Sequence, residues 1–270
     1  MKVLHVIPAI APCYGGPSAA LPQMCRALAQ QGIEPTIATT DADGRGRLAV
    51  PLEVATTYDA ASTIFFHRQY SESFKYSRPL ASWLARNVRS FDIVHIHAVL
   101  SHACLAAGRA CRTGGVPYVV RPLGTLDPWS LGQKALKKRL LLRAAGRSML
   151  WHAAAIQYTS REEKRLVESS LGLVRGAVIP LGVDDGLFAR NAASRQSNRE
   201  EAPPYVLALS RLHPVKGLEA LITAFGRAVP RDVEWRLVIA GDGDGAYVDA
   251  LKRLAGESGA GERVVFPGWV

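Results

Sequence analysis

The chain has 270 residues, 48% of them hydrophobic and 21% charged, with a formal net charge of +10. That suits one large or two smaller globular cores, and no apolar run approaches the ~20 residues that span a bilayer. The positive charge points to anionic partners, namely nucleic acid, an acidic membrane surface or phosphate-bearing small molecules. Nucleic acid is excluded from the reading, because no binding motif is present and the basic residues are not interleaved with aromatics.

The first strand, VLHVIPAI (3–10), follows Met1 and Lys2. It is short, contains His5 and Pro8 and alternates like a strand, so we read neither a signal peptide nor a membrane anchor and expect the cytoplasm as the location. The loop APCYGGPSAAL comes next. Gly15 and Gly16 allow close backbone approach and Pro17 suits a first helical turn, which together describe an anion site at a helix N-terminus. A plain strand-to-helix turn explains the same residues, since the loop is neither a P-loop nor GxGxxG. Pro22 either kinks the helix at 18–31 or delays its start.

Strands at 35–40 and 62–67 and a helix at 79–89 lead to IVHIHA (93–98), where His95 and His97 alternate onto one face. His102 opens the helix 101–113. Three readings stand here: a metal site with Cys104, a satisfied core His95 with His102 as a helix-start residue, or a neutral His97 at the strand end that faces a ligand. The metal reading lacks a carboxylate and fits no zinc spacing well, so no metal is expected. Cys13, Cys25, Cys104 and Cys111 are scattered and read as reduced core or near-core thiols.

After a strand at 118–123, the loop RPLGTLDPWSLG runs into a helix at 131–149 that carries Lys134, Lys137, Lys138, Arg139, Arg143 and Arg147. Such a helix either lies on anionic lipid or packs on the core with a solvated basic face. Strands at 155–160 and 177–182 flank a helix at 161–171. Strands apolar on both faces and separated by helices indicate a doubly wound parallel sheet. Residues 186–204 are polar, aperiodic and end in Pro203-Pro204, which reads as a linker between a domain at 1–185 and a second at 205–270. The second repeats the alternation with strands at 205–210, 235–241 and 263–270 and helices at 217–228 and 246–255.

Ligands of such sheets bind beyond the carboxyl ends of the strands. In SRLHPVKG (210–217), Arg211 and Lys216 flank a turn that opens a helix, with Gly217 allowing close approach. A guanidinium fork and an ammonium point charge converging there suit a diphosphate. GDGDG (241–245) supplies a second glycine-rich turn, with Gly241 and Gly243 able to approach a nucleotide.

GGPSAAL, FDIVHIH, SREEKRL with VIPLGVD, LALSRLHPVKGLEALITAF, RLVIAGDGD and VVFPGWV occur in one order. Together they resemble the retaining glycosyltransferases of family four, of the glycogen synthase and mannosyltransferase type. RPLGTLDPWSL is similar to the branch that builds bacterial cell-surface polysaccharides. The resemblance implies an α/β GT-B fold of two Rossmann-like domains: an acceptor-side domain and a donor domain that is incomplete here. It implies transfer, with retention, from a nucleotide-diphosphate sugar to a hydroxyl of a glycan or lipid-linked glycan, without metal or other cofactor; the inner face of the membrane is expected only if the basic stretch 131–147 binds lipid.

At matched positions the resemblance makes Arg211 and Lys216 the pair that binds the donor diphosphate and stabilises the leaving group. His97 is the third catalytic candidate. Gly15, Gly16, Gly217, Gly241 and Gly243 become donor or phosphate contacts, and His102 and Arg121 candidate sugar or acceptor contacts. The usual G-H-E-V is GIEP (32–35) and VIPNG is VIPLG, with Leu181 in place of asparagine. The family's E-x7-E element, expected after VVFPGWV, is not in the sequence. We therefore expect little turnover from these residues alone; the alternative is a truncated, non-enzymatic paralogue or interaction subunit.

Overall fold

The structure is a computed structural model, and it describes residues 1–59, 61–70, 72–172, 176–182, 203–230 and 232–270. The chain divides into two compact units, Met1–Asp184 and Asp185–Val270. Of the expected linker at 186–204, only Pro203 and Pro204 lie within the described residues.

The first unit is built on one sheet of eight strands: β1 (Lys2–Ala9), β2 (Glu34–Thr40), β5 (Ala55–Tyr58), β6 (Ala61–Phe66), β7 (Ile93–His97), β8 (Tyr118–Arg121), β9 (Ala155–Tyr158) and β10 (Gly176–Val178). Their order is β10-β9-β8-β7-β1-β2-β6-β5. All neighbours run parallel except β5, which is antiparallel to β6. A two-stranded hairpin, β3 (Ala42–Asp43) and β4 (Gly46–Arg47), stands beyond β2.

The alternation of side chains decides what each face packs against. Leu4, Val6, Val94, Ile96, Val120 and Ile156 turn to one layer, where they meet Leu80 and Leu84 of α2 (Arg78–Asn87) and Ala103, Ala107 and Cys111 of α3 (His102–Gly114). Ile7, Ile37 and Phe65 turn to the other, against Leu21 and Cys25 of α1 (Gly16–Gln30). Small residues on α3 let that helix come close to the sheet. Ser77 accepts a hydrogen bond from the Leu80 N–H and Ser101 one from the Cys104 N–H, so both of these helices start with a side-chain cap.

Helix α1 begins at Gly16 and continues through Pro22, so the proline does not delay its start. The expected helix at 131–149 is interrupted. α4 (Pro128–Gly132) ends at Gly132, Lys134 adopts a left-handed φ of 54°, and α5 (Ala135–Leu141) passes through a π-turn at Leu142–Gly146 into α6 (Arg147–Trp151). Across the break the Lys138 ammonium donates to the Ser130 carbonyl at 2.6 Å, tying α5 to α4. α7 (Arg161–Leu171) follows β9 and is capped by Ser160. Cys25, Cys104 and Cys111 are buried as expected, but Cys13 is exposed on the loop after β1.

In the second unit β11 (Tyr205–Leu209), β12 (Arg236–Ala240) and β13 (Val264–Gly268) form a parallel sheet in that order. α8 (Leu218–Ala228) and α9 (Gly245–Glu257) pack Leu218, Ile222, Phe225, Leu251 and Ala255 against Leu237, Ile239 and Val264 on one face. On β11 the opposite face exposes Tyr205, Leu207 and Leu209, each more than half accessible.

Candidate functional site

In the second unit, Arg211 and Lys216 sit on the loop that joins β11 to α8. The hydrogen bonds from the Ser210 N–H to the Ala240 carbonyl and from the Leu212 N–H to the Asp242 carbonyl (2.8 Å) continue the sheet pairing past the end of β11. They bind the 210–217 loop to the 241–245 loop. Gly241 has φ 135°, and a Cβ there would run into the Ser210 carbonyl; one at Gly243 would run into the Leu212 carbonyl. The two glycines are thus required by the packing of one loop on the other.

His213 then caps a 3₁₀ turn (Pro214–Lys216) through Nδ1, which accepts from the Val215 N–H at 3.3 Å. Gly217, at φ 63°, reverses the chain into α8. Arg211 and Lys216 are both exposed, and among the described residues neither makes a salt bridge. Two cations that no acid pairs among the described residues therefore flank a helix N-terminus, whose first turn carries Glu219, an arrangement suited to an anion. Arg211, Lys216, Gly217, Gly241 and Gly243 are brought together, as the sequence places them on the carboxyl ends of two neighbouring strands.

In the first unit, Gly15 takes φ 74° and ψ −140° and Gly16 begins α1. A Cβ at Gly16 would meet nothing within 4 Å, so the backbone there faces open space. What holds the loop is a residue the sequence reading passed over. The Tyr14 hydroxyl donates to Glu72 Oε1 at 2.7 Å and accepts from the Gly44 N–H at 3.0 Å. Lys75 lies 4.3 Å from the Tyr14 ring centroid and 3.1 Å from Glu72, whose other oxygen takes Arg68 at 3.1 Å. Burial and Glu72 hold the Tyr14 phenol well above its ordinary range, so it remains a donor. Cys13, beside Asp43, is pushed up to about 11 by burial and that neighbour. No local pattern advertises this network, because Glu72 is 58 residues from Tyr14.

His97 does not present an edge to solvent. It is 1% exposed, and its Nε2 lies 3.1 Å from Nδ1 of His5. His95 stands directly across from His5 in the β1–β7 register, and ring centroids are 4.2 Å apart for His95–His97 and 5.4 Å for each of the other two pairs. Burial is the first cause of lowered basicity in all three. With the charge of Arg121, it takes His5 down to about 4; with His5 and Arg121, it takes His95 to about 3. His97 falls well below its ordinary value for the same reasons, so its neutrality is as expected although its orientation is not.

Arg121 pairs with His97 across β7 and β8 and is 2% exposed, with Nε and Nη2 lacking a partner among the described residues. Cys104 stays out of the histidine group, since its thiol donates to the His97 carbonyl. His102 is also separate: its Nδ1 accepts from the Ser77 N–H at 3.2 Å and its ring lies 4.2 Å from that of Tyr76. The four-residue metal grouping of His95, His97, His102 and Cys104 is therefore not assembled.

Beyond β8 and β9 lies a recess of about 240 Å³ lined by Gly124, Asp127, Thr159, Ser160, Glu162, Glu163 and Leu166. Glu163 organises it, accepting from the Gly124 N–H (3.0 Å), the Thr159 N–H (2.8 Å) and the Thr159 hydroxyl (2.9 Å). Burial, and then Glu163, raises the Asp127 carboxyl above its usual range.

Known proteins show the same organisation. A model described as Glycosyltransferase Family 4 matches residues 14–187, and one described as Glycosyl transferases group 1 matches residues 189–270. A GDP-mannose-dependent alpha-(1-6)-phosphatidylinositol monomannoside mannosyltransferase of Mycolicibacterium smegmatis is 30% identical over 165 residues, 54% of this chain and 42% of the relative. A GDP-mannose:cellobiosyl-diphosphopolyprenol alpha-mannosyltransferase of Xanthomonas oryzae is 26% identical over 272 residues, 98% of this chain and 66% of the relative. The matches thus cover between 42% and 66% of these relatives' lengths.

Among solved structures, Anabaena HepE in complex with UDP and glucose aligns with TM-score 0.69 at 20% identity, over 100% of this chain and 70% of that one. A glycosyltransferase from Rickettsia africae aligns at 0.65 and 16%, over 100% and 68%. With both family models matched in succession along the chain, the protein belongs to the group 1 glycosyltransferases of family 4 and has the GT-B fold.

Proposed function

We propose that the chain carries the acceptor-side domain and part of the donor site of a glycosyltransferase. This enzyme moves a sugar from a nucleotide diphosphate to an acceptor hydroxyl with retention, in cell-surface glycan synthesis. The observation that carries the reading is the pair Arg211 and Lys216, exposed and, among the described residues, without a salt bridge at the opening of α8. As the bond from the sugar to the diphosphate lengthens, negative charge grows on the departing oxygen. A planar fork and a mobile ammonium fixed nearby stabilise that charge more than the ground state, which is what lowers a barrier.

Two relatives are named for GDP-mannose and one structural neighbour holds UDP and glucose, so GDP and UDP are the diphosphates to test first. The acceptor is a glycan or lipid-linked glycan, consistent with the diphosphopolyprenol in one relative's name. Gly15 and Gly16 offer backbone to the donor phosphate or acceptor, and His102 and Arg121 shape the acceptor side. The basic segment at 131–147 rests on an anionic membrane, placing the enzyme at its cytoplasmic face.

Calorimetric titration of GDP and UDP into the chain tests the reading. One diphosphate should bind, the monophosphate at least tenfold more weakly, and Arg211→Ala or Lys216→Ala should each weaken the diphosphate roughly 10- to 100-fold, as expected for a charge-assisted contact. Unchanged diphosphate affinity in both variants would remove the pair from the site.

A further inference from the structure

We propose that His5, His95 and His97 form a binding site for a single divalent transition-metal ion of the zinc class, set between β1 and β7 and separate from the sugar-transfer chemistry. One nitrogen from each ring can be chosen so that all three lie within 4.8 Å of one another. Bonds of about 2.0–2.1 Å in a tetrahedron place ligand nitrogens about 3.3 Å apart and three imidazole centroids about 5 Å apart. The His5 Nδ1–His97 Nε2 separation is 3.1 Å, and two of the three centroid distances are 5.4 Å. Only His95, whose ring lies 4.2 Å from that of His97, has to turn outward to complete the set.

The backbone fixes this placement. His5 and His95 are register partners on adjacent parallel strands, and His97 follows two residues later on the same face. The cluster also has unmet bonding capacity. One contact joins His5 and His97, while Nε2 of His95, the remaining member, is buried without a partner among the described residues. The neutral imidazole is the form that coordinates. Three protein nitrogens leave one position for water or hydroxide.

Arg121, across from His97 on β8, is a like charge. It makes this a weaker site than one with carboxylates, and Arg121→Gln is expected to tighten it.

The test uses cobalt(II) as the probe, titrated into the intact chain at neutral pH with zinc as competitor. The expected result is one cobalt per chain, with the visible absorption of four-coordinate cobalt displaced by one equivalent of zinc. His95→Asn should abolish that signal, whereas His152→Ala, an exposed residue just past α6, should keep it. Circular dichroism establishes that each variant is folded. If His95→Asn does not fold, X-ray absorption at the metal edge of the wild-type chain decides, with three imidazole ligands expected. No uptake by the wild type, uptake unchanged in folded His95→Asn, or an edge spectrum with fewer than two imidazoles would each overturn the proposal. None of these readouts depends on whether the protein transfers sugar.

Discussion

Asp127 shows how a single burial sets a pH dependence. Its folded pKa is raised, by desolvation first and by Glu163 second, so the fold favours the protonated acid. That contribution is fully present below the unfolded pKa of about 3.9 and disappears as pH rises through the higher folded value. Asp127→Asn should therefore raise the melting temperature at pH 7 and leave it nearly unchanged at pH 3. A variant less stable than wild type at pH 7 would mean that the Asp127 carboxylate is held by a favourable partner.

At this scale the sequence reading is strong on residue type and weak on company. The chemistry of Arg211 and Lys216 follows from a strand, a turn and a glycine within eight residues. His97 was legible as neutral but not as buried, because its partner His5 lies 92 residues away and nothing local tells that β1 and β7 are neighbours. A separation of 58 residues likewise hid the Tyr14–Glu72 contact. Tyr14→Phe removes one donor and one acceptor there and should destabilise by about 1–3 kcal/mol, with faster proteolysis of the 12–16 loop. An unchanged melting curve would show that the loop is held by Lys75 and Gly15 alone.

The elements with apolar residues on both faces, β1, β2, β6, β7 and β8, were readable from their runs alone. β5 and the β3–β4 hairpin were not, since they are short and half-exposed and carry no apolar period. The basic stretch reads as one helix because its leucines keep helical spacing; Gly132 and the left-handed Lys134 break it nonetheless.

The break has a visible result on α5, where Leu136 and Leu140, 85% and 69% exposed, lie one turn apart among Lys137, Arg139 and Arg143. No Asp or Glu occurs from residue 128 to 161. Leucines among cations suit an anionic bilayer, where the charges attract and the side chains bury. Vesicles with anionic lipid should sediment the chain and neutral vesicles should not. Leu136→Ser with Leu140→Ser should reduce binding about tenfold or more, given ~1.5–3 kcal/mol per fully buried leucine. Indifference to lipid charge would rule the surface out.

For the whole molecule, the two units differ in how completely they are wrapped. The first has helices on both layers of its sheet, while the second packs α8 and α9 on one face and leaves Tyr205, Leu207 and Leu209 bare. Residues 1–184 expressed alone should melt cooperatively. Residues 203–270 alone should bind hydrophobic dye and melt broadly, since a one-sided three-stranded sheet buries little apolar surface. A sharp, dye-free transition from the smaller fragment would refute this. The division into two units falls between Asp184 and Asp185, where polar, aperiodic sequence begins to separate two stretches that each alternate strand and helix.

The contact of Gly241 and Gly243 with the carbonyls of Ser210 and Leu212 carries a mechanical consequence. The two loops act as hinge and leaf: the backbone that carries Arg211 is fixed by main chain wedged against main chain. A methyl group added at position 243 would have no room except by lifting the 210–217 segment. It would then swing Arg211 and the start of α8 together, and alter anion affinity from a place that no anion need touch.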